Sequence, residues 1–302
     1  LPRLAVCLNF LPPEPALMAS SRLALLSVVV TASVCGWFAA RAADPVAAPA
    51  AAPTTAPAPS PADLLQQDFK ANLPRVAPTE PGDVMKDFTV APGFKLEQVA
   101  AEPLVNSPVA MEWDENGRLF VCEMRGYSEN RDDGISRVSM LEDLDGDGRY
   151  DKSTVFVDKL LWPTAVFCYD GGVFIGDAPE VRYYKDTDGD GRADVVQNVF
   201  TGFGTSNVQG LLNCFRWGLD NRIHLATSSI GGDIRRADPA KAKFWPVDDK
   251  ERAAHHEADF KDSKPISVRG RDIAFNPKTY EFMLTSGASQ HGMSFDDWGH
   301  KF

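Results

Sequence analysis

After Pro81 the chain keeps returning to one pattern: an aromatic residue, a short polar turn, then a run of apolar and β-branched residues. Four copies stand out. They are "WDENGRLFVCE" from Trp113, "YDGGVFIGDA" from Tyr169, "WGLDNRIHLATS" from Trp217 and "FNPKTYEFMLTSG" from Phe275. Their turns hold Asn-Gly, Gly-Gly, Asp-Asn or Pro-Lys, which is hairpin chemistry, and their apolar runs suit buried strands. Near-even spacing of the copies, with several short strands in each interval, predicts propeller blades and not a helical solenoid. The expected fold class is therefore all-β, a partial β-propeller with about four blades over residues 84–302. The chain stops inside "SFDDWGHKF", so the ring is expected to be truncated, with an open edge that invites association. Helical periodicity is nearly absent. The one helix-tolerant stretch, residues 248–264, falls within a blade-length interval and reads as a loop insertion. His255, His256 and Glu257 would then lie on a solvated loop, because no fourth ligand stands at a metal-site spacing.

Two of the polar interruptions are nearly identical: "DLDGDGRYD" from Asp143 and "DTDGDGRAD" from Asp186. Asp143, Asp145, Asp147 and Asp151 occupy positions 1, 3, 5 and 9 of the first loop; Asp186, Asp188, Asp190 and Asp194 repeat them. Carboxylates at alternate positions converge on one hard cation. The glycine at position 6 permits the sharp turn that lets the carbonyl of residue 7, Arg149 or Arg192, point inward. Four uncompensated carboxylates in so short a loop would repel one another, so both loops are expected to bind calcium. Neither is an EF-hand, since position 12 holds Thr154 or Gln197 in place of a bidentate Glu. The flanks "RVSML", "TVFV", "VRYY" and "VVQNVF" predict that each loop joins two strands.

Composition changes the picture at the N-terminal end. Met18 reads as the initiator, with residues 1–17 not translated or misassigned. From Arg22 a basic start leads into an uncharged apolar run over residues 23–40 and an Ala-Arg-Ala cleavage pattern, so residues 18–42 read as a signal peptide. The alternative is a retained membrane anchor. Residues 43–83, an Ala/Pro tract poor in large apolar side chains, read as a disordered linker. An exported, periplasmic or envelope location follows.

The formal net charge is −11, and residues 43–302 carry 28 basic against 41 acidic side chains. Such a surface repels phosphates and excludes nucleic acid as a partner. Only Cys122, Cys168 and Cys214 of the five cysteines lie beyond residue 42. With no C-x-x-C pair they read as isolated buried thiols, one disulfide being the alternative, and no C-x-x-C-H haem site exists.

These motifs, in their order and spacing over residues 84–302, resemble the N-terminal propeller of a bacterial family of membrane-bound dehydrogenases, similar to the soluble glucose/sorbosone dehydrogenases. "FTVAPGFKLEQVAAEPLVNSPVAMEWDENGRLFVCEMRGY", the two acidic loops with their flanks, "NCFRWGLDNRIHLATS" and the terminal "SGASQHGMSFDDWGHKF" carry the likeness. The resemblance implies an exported six- or seven-bladed ring that bears calcium. It implies oxidation of a sugar or alcohol with pyrroloquinoline quinone, the electrons passing to a haem in a cytochrome partner. Such chemistry needs a base for the hydroxyl proton and cations for the cofactor's carboxylates. Polar residues at strand ends within the family-like motifs supply candidates. His291 and Arg125 are the candidate catalytic pair, and Glu123, Asn213, Arg216 and Arg269 the candidate cofactor contacts; Tyr127, Arg271 and Gln290 stand beside them. His224 reads as a packed strand residue with a hydrogen-bonded ring. The alternative function is a non-catalytic, calcium-stiffened propeller that binds glycans or a protein partner.

Overall fold

The computed structural model describes residues 76–247, 249–287 and 289–302, without the side chains of residues 249–253. The expected signal peptide, the residues before it and most of the linker lie outside them. Residues 76–80 have no regular structure, and a single 3-10 turn, Val84–Asp87, precedes the first strand.

From the first strand onward the described residues are all-β, as the pattern predicts, in three antiparallel sheets with one α-helix. The first sheet is a four-stranded meander of β1 (Pro108–Trp113), β2 (Leu119–Glu123), β3 (Ser136–Glu142) and β4 (Lys152–Leu160). The second repeats that order with β5 (Pro163–Tyr169), β6 (Gly172–Asp177), β7 (Glu180–Lys185) and β8 (Val195–Phe203). The third begins with β9 (Asn213–Trp217) and β10 (Ile223–Ala226). Next come β11 (Gly232–Arg236), β12 (Trp245–Pro246), helix α1 (Asp249–Phe260) and β13 (Ile266–Ser267). Strands β11 and β12 both pair with β8, and β13 pairs with β11, widening the second sheet to seven strands. Finally β14 (Asp272–Phe275) and β15 (Phe282–Thr285) return to β10, giving the order β15-β14-β10-β9.

This corrects the expected count of blades. The third and fourth pattern copies share one sheet, because Ile223, His224 and Leu225 pair with Phe275, Ala274 and Ile273. The stretch between Trp217 and Phe275 holds an insertion that pairs elsewhere, and spacing alone cannot tell an insertion from a new sheet. Within the region read as a loop, Asp249–Phe260 form a helix. It contains neither Gly nor Pro, and alanine, glutamate, lysine and arginine give it good helix propensity. Its last residue, Phe260, is fully buried beside Ala237 and Ala242.

Sheet stacking explains the continuous apolar runs. Every residue of β6 is buried, since the second sheet is covered on both faces. Alternate side chains leave a strand on opposite sides. Val173 and Ile175 join Phe120, Met140 and Phe156 of the first sheet, while Phe174 joins Phe215, Ile223 and Phe275 of the third. Phe174 and Phe275 meet edge to face at 5.5 Å. The first strands of the sheets lie side by side, β1 against β5 and β5 against β9. Among the described residues the three sheets do not close on themselves.

Candidate functional site

The two acidic loops occupy equivalent places, joining β3 to β4 and β7 to β8, and are built alike. Asp143 accepts the N–H groups of Gly146 (2.7 Å) and Gly148 (2.9 Å); Asp186 accepts those of Gly189 (2.7 Å) and Gly191 (2.8 Å). Gly148 and Gly191 sit at φ of 89° and 86°, in the left-handed region that a side chain disfavours. Asp147 and Asp190 accept from the N–H of Arg149 and Arg192. Oxygens of Asp143, Asp145 and Asp151 lie within 4.8 Å of one another, as do those of Asp186, Asp188 and Asp190. Asp194 instead accepts the hydroxyl and N–H of Thr187, which hold its carboxyl below the usual carboxylate range. The two loops thus gather different subsets of the eight expected carboxylates.

At position 8 each loop reaches out of its own sheet. The Ala193 N–H donates to the carbonyl of Phe156 in β4 of the first sheet, and the Tyr150 N–H donates to the carbonyl of Val99 (each 2.9 Å). A Cβ at Gly191 would stand 3.0 Å from Met140 Cε, so the second loop lies tight on the first sheet. The segment around Val99 takes toward the first sheet the position that β4 takes toward the second. Ala100 and Val105 cover Leu119, Val121 and Leu141 as Phe156 and Val157 cover Val173, Ile175 and Tyr184.

A cavity of about 370 Å³ opens between the three first strands. Its walls are residues 109–111 of β1, residues 164–166 of β5, residues 213–216 of β9, and His291 with Gly292. Three predicted residues therefore converge: Asn213, Arg216 and His291. The segment carrying His291 is pinned over β9 by Asn213, whose Nδ2 donates to the carbonyls of Gln290 (2.8 Å) and Leu211 (3.0 Å) and whose Oδ1 accepts the N–H of Gly292 (2.8 Å). The Cys214 thiol accepts the N–H of Met293 at 3.2 Å. Buried Asp272 anchors the same segment from below, accepting from the hydroxyl of Ser289 (2.9 Å) and from Lys301 (2.7 Å). His291 itself is exposed.

The other predicted residues lie elsewhere, which corrects the expected constellation. Glu123 ends the second strand of its sheet, not the first. It is wholly buried, accepting from Arg125 (2.7 Å), Arg137 (3.0 Å), Ser139 and the N–H of Asn106. Arg125 is thus engaged by Glu123 and does not meet His291 at the cavity wall. Arg269 and Arg271 are exposed in the turn before β14. Tyr127 packs its ring 6.0 Å from Trp162. His255 and His256 form no metal cluster with Glu257: His255 stacks on Trp245 at 5.1 Å, and His256 Nε2 lies 3.3 Å from Glu180 and 3.1 Å from the Thr201 hydroxyl. His224 is a buried strand residue bonded to Asp220, as expected. The three cysteines are free.

Sequence reasoning missed Glu112. Its carboxylate, on β1, lies 3.8 Å from Arg216 of β9, and burial raises its pKa against the opposing pull of Arg216. The signal was available as the one charge within the apolar run "PVAMEW".

Stacked antiparallel sheets with matched acidic hairpin loops make this an all-β protein. The chain belongs to the DUF7133 family, a domain of unknown function whose model matches residues 80–302. No curated protein matches the chain.

Proposed function

We propose that this chain forms part of an exported, calcium-braced β-propeller whose cavity between the first strands binds a polyhydroxylated small molecule of the sugar or alcohol class. The observation that carries it is the convergence of β1, β5 and β9 on one cavity over which Asn213 pins the His291 segment. First strands side by side are what radially arranged blades require, and the cavity volume lies at the small end of ligand pockets, roughly 300–1,000 Å³.

Calcium fits the acidic loops. Oxygens within 4.8 Å of one another need only slight side-chain rotation for each to stand about 2.4 Å from a shared centre, the distance calcium takes to oxygen. In the first loop Asp143, Asp145 and Asp151 would hold the ion, in the second Asp186, Asp188 and Asp190. A metal there would neutralise the crowded carboxylates and stiffen the turn that touches the neighbouring sheet.

The tricarboxylate quinone does not fit equally well. Among the described residues the cavity wall offers it one guanidinium, Arg216, with Arg125 and Arg269 placed elsewhere. No electron-transfer step is therefore assigned. Among the described residues His291 supplies the one imidazole on the cavity wall, a base for the proton of a bound hydroxyl. Saturation-transfer NMR of the calcium-loaded chain with a panel of hexoses, polyols and uronates tests the binding reading. Transfer to at least one of them that Asn213→Ala weakens is the expected result; no transfer to any of them refutes it.

A further inference from the structure

Counting hydrogen-bonding capacity on the cavity wall sharpens the ligand's chemistry. Four polar side chains line it: Thr164, Asn213, Arg216 and His291. The Thr164 hydroxyl donates to the carbonyl of Leu212, and Asn213 spends its amide on Leu211, Gln290 and Gly292. Neither has a donor left for a guest. Arg216 is different. One of its five N–H groups reaches the carbonyl of Phe215 at 3.3 Å, and its distance of 3.8 Å to Glu112 is beyond hydrogen-bond range. Its side chain is 49% exposed. The imidazole of His291 bonds to no described residue. The donors still available in this cavity therefore sit on a guanidinium and an imidazole, in a chain whose formal charge is −11.

Arginine presents a planar fork that matches a carboxylate with two parallel hydrogen bonds. A loose, partly exposed ion pair contributes little by itself, so exchanging Glu112 for a ligand carboxylate costs little and gains a bidentate contact. The remaining walls are apolar or backbone, which suits the carbon face of a small ring. Resting on the cavity reading above, we propose that the preferred ligand is a sugar acid, its carboxylate held by Arg216 in place of Glu112 and a hydroxyl turned toward His291.

The test is calorimetric titration of the calcium-loaded chain with D-glucuronate and D-glucose, which differ only at the C6 carboxylate. Glucuronate is expected to bind at least tenfold more tightly. Arg216→Gln should remove that preference, and Glu112→Gln should raise glucuronate affinity severalfold by removing the competing carboxylate. Equal affinities for the two sugars, or an unchanged preference in Arg216→Gln, would overturn this inference and leave the cavity reading standing. Binding of neither sugar would overturn this inference, and the cavity reading falls with it only if the whole panel of hexoses, polyols and uronates also fails to bind.

Discussion

At Glu123 two arginines share one carboxylate that water does not reach. The pair makes structural sense of a residue that looked like a cofactor contact: the carboxylate ties the end of β2 to β3 and to the loop before β1 through the N–H of Asn106. Glu123→Ala leaves Arg125 and Arg137 without their partner. Such a change should cost roughly 3–5 kcal/mol, read by denaturant unfolding, without touching the first-strand cavity. Glu112 makes the opposite case. Burial raises its folded pKa, so the folded state favours its protonated form. Its contribution is favourable below the ordinary carboxylate pKa and declines as pH rises through the raised value. Glu112→Gln should flatten that part of the pH–stability profile, measured by melting temperature between pH 4 and 8.

At the scale of elements, the acidic loops and the helix show what could be seen in advance. The loops were legible because their carboxylates and glycines are close neighbours in the chain, and the turn geometry follows from the residue types. The sharing of carboxylates within each loop was not, because Asp194 chose the hydroxyl of its neighbour Thr187. The number of sheets was not legible either. Whether "FNPKTYEFMLTSG" begins a new sheet or joins β10 depends on contacts between segments far apart in the chain, and no local pattern records that choice. The cavity was half legible: Asn213, Arg216 and His291 could be picked as polar residues among apolar runs, whereas Glu123, chosen by the same rule, is buried and pairs with half-buried Arg125 away from the cavity. Helix α1 lies on the second sheet through Phe260, which is fully buried. Phe260→Ala should destabilise by about 3–5 kcal/mol. It should also speed hydrogen exchange in β11 and β12, seen by mass spectrometry, with β1 to β4 unaffected.

Across the whole molecule, each acidic loop works as a clasp between neighbours: Ala193 to Phe156 across two sheets, Tyr150 to Val99 across the first sheet and the segment before it. A metal that rigidifies the loop would then strengthen an interface outside it. Asp186→Asn should weaken the contact between the first and second sheets, and Asp143→Asn should loosen residues 94–100, each as faster exchange at those amides in calcium that disappears as a difference in chelator. The most direct measurement is the melting temperature of the chain in millimolar calcium and in excess EGTA. Binding at about 100 times Kd stabilises by about 2.7 kcal/mol per site, which for a domain of this size corresponds to roughly 5–10 °C. A rise of about twice that in calcium, one share from each site, halved by Asp186→Asn and abolished when Asp143→Asn is added, is the expected result; a melting temperature indifferent to calcium and chelator alike would contradict it.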